Sequence, residues 1–138
     1  MAQALKTARV MVVEDNPADV LMVKKALQEK GIKFDLSCFE NGDQALKALS
    51  RQDSKAPDLI LLDLNLPTIE GIEVLIQIRN MPRLSRVPVV ILTSSESSSD
   101  MRRTKRLGAA RYIRKSLMLE DFLREVGTGI EEMLRESN

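Results

Sequence analysis

The chain has 138 residues, which suits one compact domain and leaves no room for a second. Its 21 Lys and Arg residues almost balance its 20 Asp and Glu residues, so net charge indicates neither a nucleic-acid-binding nor a membrane-binding protein. His is absent, which excludes His-ligated zinc, imidazole-based triads and His general bases, and the absence of Trp argues against base-stacking platforms.

The first half of the chain alternates predicted strands with predicted helices. Short, largely apolar strand patterns occur at Arg9–Glu14, Phe34–Phe39 and Leu59–Leu62. A first helix is predicted with Asn16 as its N-cap, Pro17 at its first position and Gly31 at its end. A second helix is predicted over Gln44–Arg51.

The second half continues the alternation. A third helix is predicted directly after Leu66-Pro67, and a basic helix over roughly Asp100–Leu107. Strands are predicted at Pro88–Thr93 and Arg111–Arg114. The last helix, about Leu117–Arg135, carries a continuous apolar stripe at Leu119, Phe122, Leu123, Val126, Ile130, Met133 and Leu134. The stripe predicts a helix longer than the sheet needs, with its far end available for a dimer contact.

Five strands alternating with five helices predict an α/β fold. The pattern indicates a flavodoxin-like, doubly wound parallel sheet with strand order 2-1-3-4-5. We expect a single domain over residues 1–138, with its core at about 8–136 and no output domain. In such sheets the ligand site lies beyond the carboxyl ends of the strands, beside the reversal in strand order.

Polar residues follow four of the predicted strands at that edge. Glu14 and Asp15 end the first strand, Asp63 follows the third, Thr93-Ser94 end the fourth, and Lys115 follows the fifth. Carboxylates brought this close repel one another unless a cation joins them. An oxygen-only cluster with positions open to water suits Mg²⁺ better than a transition metal.

The motifs containing these residues resemble those of the response-regulator receiver family. They are V-V-E-D-N-P-A-D, L-I-L-L-D-L-N-L-P-T-I-E-G, V-I-L-T-S-S and Y-I-R-K, in that order. Asp63 precedes Thr93 by 30 residues and Thr93 precedes Lys115 by 22, spacings typical of the family. The resemblance covers roughly residues 9–135, nearly the whole chain. Each motif alone is modest support, whereas the ordered set is highly specific.

The resemblance implies a phosphoacceptor and a metal site. Asp63 would accept a phosphoryl group from a phosphohistidine of a sensor histidine kinase. Mg²⁺ would be held by Asp15, Asp63 and the backbone carbonyl of Asn65, with Glu14 acting through water; Mn²⁺ or Ca²⁺ would substitute in vitro. Lys115 would bind Asp63 and then a phosphoryl oxygen.

The resemblance also implies a switch. Thr93 would donate its hydroxyl to the phosphoryl group, with Asn65, Ser94 and Ser95 as neighbours of that group. Movement of Thr93 would admit Tyr112 and rearrange the face formed by the fourth helix, fifth strand and fifth helix. That face would bind a downstream protein of unknown identity or a second copy of the chain.

Two residues depart from the family pattern. Glu14 stands where Asp is commoner, and a ligand acting through water tolerates the extra methylene. Ser116 stands where Pro usually follows the Lys, often across a cis bond. Because a cis bond before a residue other than Pro costs about 3–4 kcal/mol, we expect a trans bond or a strained one.

The partners and location follow from the same features. The single Cys38 suits a reducing compartment, and the N-terminus carries no long apolar run, so we expect a cytoplasmic protein with no membrane contact. The E-D-N-P-A-D opening and the expected lack of an output domain resemble the small regulators paired with bacterial phytochrome kinases. The basic residues of the fourth helix and fifth strand predict either a solvated face or a docking surface: Arg102, Arg103, Lys105, Arg106, Arg111 and Arg114.

Other functions fit the sequence less well. A haloacid-dehalogenase-type phosphohydrolase would need a general acid two residues after the nucleophile, and Asn65 cannot exchange a proton there. We therefore expect no enzymatic turnover of outside substrates. A receiver-like scaffold that works without phosphorylation stays open, although Asp15, Asp63, Thr93 and Lys115 argue against it. Nucleotide binding is disfavoured because no Gly-rich phosphate loop follows the first strand.

Overall fold

The computed structural model describes residues 6–53 and 55–137, over which strands and helices alternate. The strands are β1 (Ala8–Val13), β2 (Phe34–Phe39), β3 (Leu59–Leu62), β4 (Val89–Thr93) and β5 (Arg111–Arg114). The helices are α1 (Pro17–Glu29), α2 (Gly42–Ser50), α3 (Gly71–Arg79), α4 (Ser98–Arg106) and α5 (Leu119–Ser137). A short 3₁₀ turn, Pro82–Leu84, joins α3 to β4.

The five strands form one parallel sheet in the order β2-β1-β3-β4-β5, which confirms the predicted flavodoxin-like fold. Its register aligns the strand ends: Val13 lies opposite Leu62, and Leu62 lies opposite Ile91. Thr93 in turn lies opposite Arg114. The residues that follow β1, β3 and β5 therefore meet at one edge of the sheet.

Two apolar layers pack on the two faces of the sheet, because successive side chains of a strand point to opposite sides. In β1, Val10 and Val12 face the layer formed with α1 and α5. Met11 and Val13 face the layer formed with α2 and α3. All four residues of β3 are buried, as expected for a strand covered on both faces.

The residues predicted to begin and end the first helix do so in the structure. The Asn16 side chain accepts a hydrogen bond from the Ala18 amide at 3.0 Å, with Pro17 as the first residue of α1. Gly31 ends that helix with a φ of 69°. Such a left-handed conformation is accessible to Gly at little cost.

Two helix starts differ from the sequence prediction. α3 begins at Gly71 rather than directly after Leu66-Pro67, because residues 67–70 form a separate turn. In that turn Thr68 has a φ of 65° and the Ile69 amide donates to the Pro67 carbonyl. α5 begins at Leu119, so Leu117 lies outside the helix and is fully exposed.

The predicted continuation of the α5 stripe past the core is wrong. Ile130 and Met133 are buried against the chain's own sheet and α1, and Leu134 packs beside them. Leu119, at the other end of the stripe, is exposed. Because α1 lies along α5, the far end of the stripe already has a partner within the chain. The stripe therefore gives no support to a dimer contact.

The two Gly residues of α5 permit close packing and do not break the helix. A Cβ at Gly129 would lie 2.9 Å from the Ile113 side chain of β5. A Cβ at Gly127 would lie 3.0 Å from the Lys30 side chain and 3.3 Å from the Ala26 carbonyl, both at the end of α1. Along the residues that the structure describes, no helix is both long and apolar enough to cross a bilayer.

Candidate functional site

Three carboxylates meet at the carboxyl edge of the sheet. Glu14 and Asp15 directly follow β1, and Asp63 directly follows β3, so neighbouring strands bring them together. Each offers an oxygen atom within 4.8 Å of the other two. Glu14 and Asp63 are buried, whereas Asp15 is exposed. A cluster of oxygen donors, open on one side, fits a hard divalent cation such as Mg²⁺.

Lys115 lies within the same group of charges. It follows β5, and its amide donates to the Thr93 carbonyl at 2.8 Å, which holds the residue at the end of β4. Its Nζ lies 2.7 Å from Glu14 Oε1 and 3.2 Å from Asp63 Oδ2. One positive charge thus partly neutralises the acidic cluster.

The surroundings change the pKa of both Glu14 and Lys115. Burial raises the pKa of Glu14 to about 7; the ammonium group of Lys115 opposes this shift and the negative charge of Asp63 adds to it. Burial alone would lower the pKa of Lys115, but the neighbouring carboxylates of Asp19, Glu14 and Asp63 hold it above its ordinary value. Lys115 is therefore charged at neutral pH, and Glu14 carries its charge at a cost in free energy.

A chain of hydrogen bonds joins Asp63 to the end of β4. The Asn65 amide donates to Asp63 Oδ1 at 3.1 Å, and the Asn65 side chain donates to Thr93 Oγ1 at 3.4 Å. Thr93 is fully buried, and its hydroxyl oxygen also accepts from the Ser95 amide at 3.4 Å. Ser94, between them, is exposed.

The chain continues from Ser95 to β5 and α4. The Tyr112 hydroxyl donates to the Ser95 carbonyl at 2.9 Å. The Ser95 hydroxyl donates to Asp100 Oδ2 at 2.7 Å, in the first turn of α4. Ser95 thus joins Thr93, Tyr112 and α4, a role that its position in the Ser-rich loop does not reveal.

The loop after Asp63 closes tightly on α3. The Gly71 amide donates to the Leu64 carbonyl at 2.9 Å. A Cβ at Gly71 would lie 2.2 Å from the Asp63 carbonyl oxygen and 2.5 Å from Leu64 Cα. Only Gly permits the start of α3 to lie this close to the backbone that carries Asp63.

Asp19 also lies at the site, although the sequence pattern does not predict it there. Its Oδ2 lies 2.8 Å from Lys115 Nζ, closer than Asp63 does. An acidic residue in the first turn of a helix is ordinarily explained by the helix dipole, so the sequence alone gave it no further role. Its place in the first turn of α1, the helix that directly follows Glu14 and Asp15, is the sequence signal that points to the site.

The bond after Lys115 is trans. No peptide bond between the described residues is cis, and the Lys115–Ser116 bond is among them. The Ser116 hydroxyl accepts a hydrogen bond from the Met118 amide at 3.1 Å, which shapes the turn into α5. A residue other than Pro at this position therefore still allows Lys115 to reach the carboxylates.

Comparison with known proteins agrees with this geometry. The response regulator Rcp1 of Synechocystis sp. is 38% identical over 132 residues, covering 93% of this chain and 89% of Rcp1. A crystal structure of phosphorylated RcpA, a cyanobacterial phytochrome response regulator, superposes with a TM-score of 0.86 at 34% identity, covering 96% of this chain and 97% of RcpA.

Two further solved structures carry a metal. The Mn²⁺-bound form of Rcp1 superposes with a TM-score of 0.83 at 38% identity, covering 91% of this chain and 92% of that one. The receiver domain of the sensor histidine kinase PA1611 from Pseudomonas aeruginosa has magnesium in its active-site cleft. It superposes with a TM-score of 0.70 at 25% identity, covering 91% of this chain and 99% of that domain. Residues 10–126 of this chain match the response regulator receiver domain family. This match agrees with the carboxylate cluster, the adjacent lysine and the parallel five-stranded sheet. The chain belongs to the response-regulator receiver family.

Proposed function

We propose that Asp63 accepts a phosphoryl group from the phosphohistidine of a sensor histidine kinase. The observation that carries this proposal is the buried Asp63 carboxylate, whose two oxygens have separate partners. Oδ1 accepts a hydrogen bond from the Asn65 amide, and Oδ2 lies 3.2 Å from the Lys115 ammonium. Both oxygens are thereby oriented, which a nucleophile needs for in-line attack.

The proposed step exchanges one bond for another. An Asp63 carboxylate oxygen attacks phosphorus, an acyl phosphate bond forms, and the bond from phosphorus to the imidazole nitrogen breaks. The nitrogen keeps the electron pair of that bond. Lys115 then donates to a phosphoryl oxygen in place of Asp63 Oδ2, and the Thr93 hydroxyl donates to a second phosphoryl oxygen.

We propose that Asp15, Asp63 and the Asn65 carbonyl hold Mg²⁺, with Glu14 acting through a water molecule. Two observations support the fit: the three carboxylates offer oxygens within 4.8 Å of one another, and burial raises the pKa of Glu14 to about 7 even though the Lys115 ammonium lies beside it. When bound, Mg²⁺ neutralises the charge that would otherwise repel a phosphoryl group from a carboxylate. Mn²⁺ fits the same ligands, as does the more loosely coordinated Ca²⁺.

The response to phosphorylation is proposed to pass through Ser95. The Thr93 hydroxyl oxygen now accepts from the Asn65 side chain and the Ser95 amide, and its movement toward a phosphoryl oxygen would lengthen both contacts. Because the Ser95 carbonyl holds the Tyr112 hydroxyl, movement of the 93–95 segment also releases or redirects Tyr112. The face formed by α4, β5 and α5 would change in this way, with Ser94 and Ser95 next to the phosphoryl group.

The basic part of that face is proposed to bind an acidic protein or a second copy of the chain. Arg102, Arg103, Lys105 and Arg106 of α4 are all exposed. Arg111 and Arg114 of β5 instead form ion pairs with Glu132 and Glu96, so they contribute less to the surface than the sequence indicates. A cytoplasmic location suits a histidine kinase partner. The likeness to Rcp1 and RcpA supports a phytochrome kinase in that role.

Acetyl phosphate tests the phosphoacceptor without a kinase. The protein is incubated with Mg²⁺ and acetyl phosphate, and its intact mass is recorded beside Asp63→Asn and a chelator control. We expect one phosphoryl adduct, lost in both controls. If no adduct forms and beryllofluoride also fails to bind, the phosphorylation-independent scaffold becomes the better description.

A further inference from the structure

Lys115 has three carboxylate partners, one of which has no place in the proposed chemistry. Its Nζ lies 2.7 Å from Glu14, 2.8 Å from Asp19 and 3.2 Å from Asp63. The Glu14 and Asp63 carboxylates belong to the metal cluster, whereas Asp19 does not. The contact with Asp19 is nevertheless shorter than the contact with the phosphoacceptor.

The start of α1 places Asp19 at the site. Asn16 caps the helix, Pro17 is its first residue, and the Asp19 amide donates to the Asn16 carbonyl at 3.1 Å. The partial positive charge of a helix N-terminus stabilises an ionised carboxylate in the first turn. Asp19 is thus a fixed anion on a rigid element, and its side chain is 16% exposed.

Three carboxylate contacts fix the position of an ammonium group, whereas two contacts leave it free to rotate. An ammonium has three N–H donors on a flexible stem of four carbons. With Glu14 and Asp63 alone, the nitrogen could rotate about the line that joins their oxygens. The third contact fixes its position, and Lys115 is accordingly only 14% exposed.

We propose that Asp19 is a positioning residue for phosphoryl transfer, which holds the Lys115 ammonium beside Asp63 where an incoming phosphoryl oxygen will lie. The proposal rests on the assigned role of Asp63 as phosphoacceptor. It gives Asp19 no contact with the phosphoryl group or the metal. All of its effect passes through Lys115.

The first test is a double-mutant cycle on the rate of phosphorylation by acetyl phosphate in saturating Mg²⁺. Asp19→Asn keeps the shape of the side chain and removes its charge, and we expect phosphorylation to slow by roughly tenfold. Asp19→Glu restores the charge and should recover most of the rate. In a Lys115→Ala background, Asp19→Asn should have no further effect, because the residue it acts on is gone.

The second test needs no phosphoryl transfer. Ammonium protons held by three carboxylates exchange slowly with water, so ¹⁵N NMR should show a Lys115 ammonium resonance, assigned by its loss in Lys115→Ala. We expect Asp19→Asn to abolish that resonance and Asp19→Glu to retain it. Asp121→Asn is the matched control: Asp121 also lies in the first turn of a helix but pairs with the exposed Arg124, and its loss should leave both the resonance and the phosphorylation rate unchanged.

Either of two results overturns the inference. One is a Lys115 resonance unchanged in Asp19→Asn, and the other is a slowing by Asp19→Asn that persists in full without Lys115. A wild-type protein that takes no phosphoryl group would instead refute the proposed role of Asp63. The NMR signature would then still decide whether Asp19 holds Lys115.

Discussion

Replacing Gly71 by Ala tests how the loop after Asp63 is held. The added Cβ would lie 2.2 Å from the Asp63 carbonyl oxygen and 2.5 Å from Leu64 Cα, both of them backbone atoms. An ordinary contact between carbon and oxygen is about 3.3 Å, so one segment must move by about 1 Å. Overpacking of this kind costs about 1–3 kcal/mol. Because no flexible side chain can yield here, we expect a loss near 3 kcal/mol.

Gly31→Ala is the matched control for this substitution. No atom lies within 4 Å of the position its Cβ would take, but its φ of 69° is strained for Ala. A left-handed conformation costs an ordinary residue about 1–2 kcal/mol. Gly31 lies between α1 and β2, at the end of the sheet where the strands begin, whereas Asp63 lies at the end where they finish. Replacement of Gly31 should therefore not affect phosphorylation.

Two measurements separate the variants. Urea unfolding gives the free energy of unfolding, and intact mass gives the rate of adduct formation with acetyl phosphate. Gly71→Ala should lose more stability than Gly31→Ala and phosphorylate roughly tenfold more slowly, since the displaced backbone carries the nucleophile. If Gly71→Ala unfolds at the same urea concentration as wild type and phosphorylates normally, the close approach of α3 to Asp63 has no role in the site.

Three further predictions concern charge and packing elsewhere. Burial raises the pKa of Glu14 from 4.5 to about 7, so in the presence of a chelator the free energy of unfolding should fall by about 3 kcal/mol as pH rises between those values. Urea titrations at pH 5 and pH 8 measure this fall, and Glu14→Gln should remove it. Gly129→Ala should lower the free energy of unfolding by about 1–3 kcal/mol, because its Cβ would lie 2.9 Å from the Ile113 side chain; an unchanged urea midpoint would show that Ile113 can move aside. Charge reversal by Arg102→Glu with Arg106→Glu should leave the unfolding midpoint unchanged but alter assembly of the phosphorylated protein in analytical ultracentrifugation; unaltered assembly would count against self-association through the basic face.

The sequence was sufficient for the sheet and for the residues at its edge. The all-apolar Leu59–Leu62 indicates a strand covered on both faces, and its position in the chain puts Asp63 at the carboxyl end. Once the strand order follows from the alternation of strands and helices, Glu14 must lie near Asp63, because β1 is next to β3. Lys115 is placed at the same end of the sheet but two strands away, and its long side chain spans the remaining distance. These predictions depend on local periodicity and on topology, both of which a single sequence contains.

Contacts between elements distant in the chain could not be predicted in the same way. The start of α3 depends on the fit of Gly71 against the backbone after β3, which no local pattern encodes. The apolar stripe of α5 specifies a face, but not whether α1 covers all of it. Leu119 has the same periodicity as its buried neighbours and is exposed, because periodicity does not report where the partner helix ends.

The charges at the site predict that its metal-free form is less stable than its metal-bound form. Lys115 pairs with Glu14, Asp19 and Asp63, and Asp15 belongs to the same group of carboxylates; Glu14 and Asp63 are buried. Burying a carboxylate is unfavourable unless its charge is matched, and one ammonium group cannot match four carboxylates. The unbalanced charge that destabilises the fold is the same charge that would bind a divalent cation, so cation binding and folding stability are linked. It follows that neutralising Glu14 should stabilise the metal-free protein while weakening its response to added Mg²⁺.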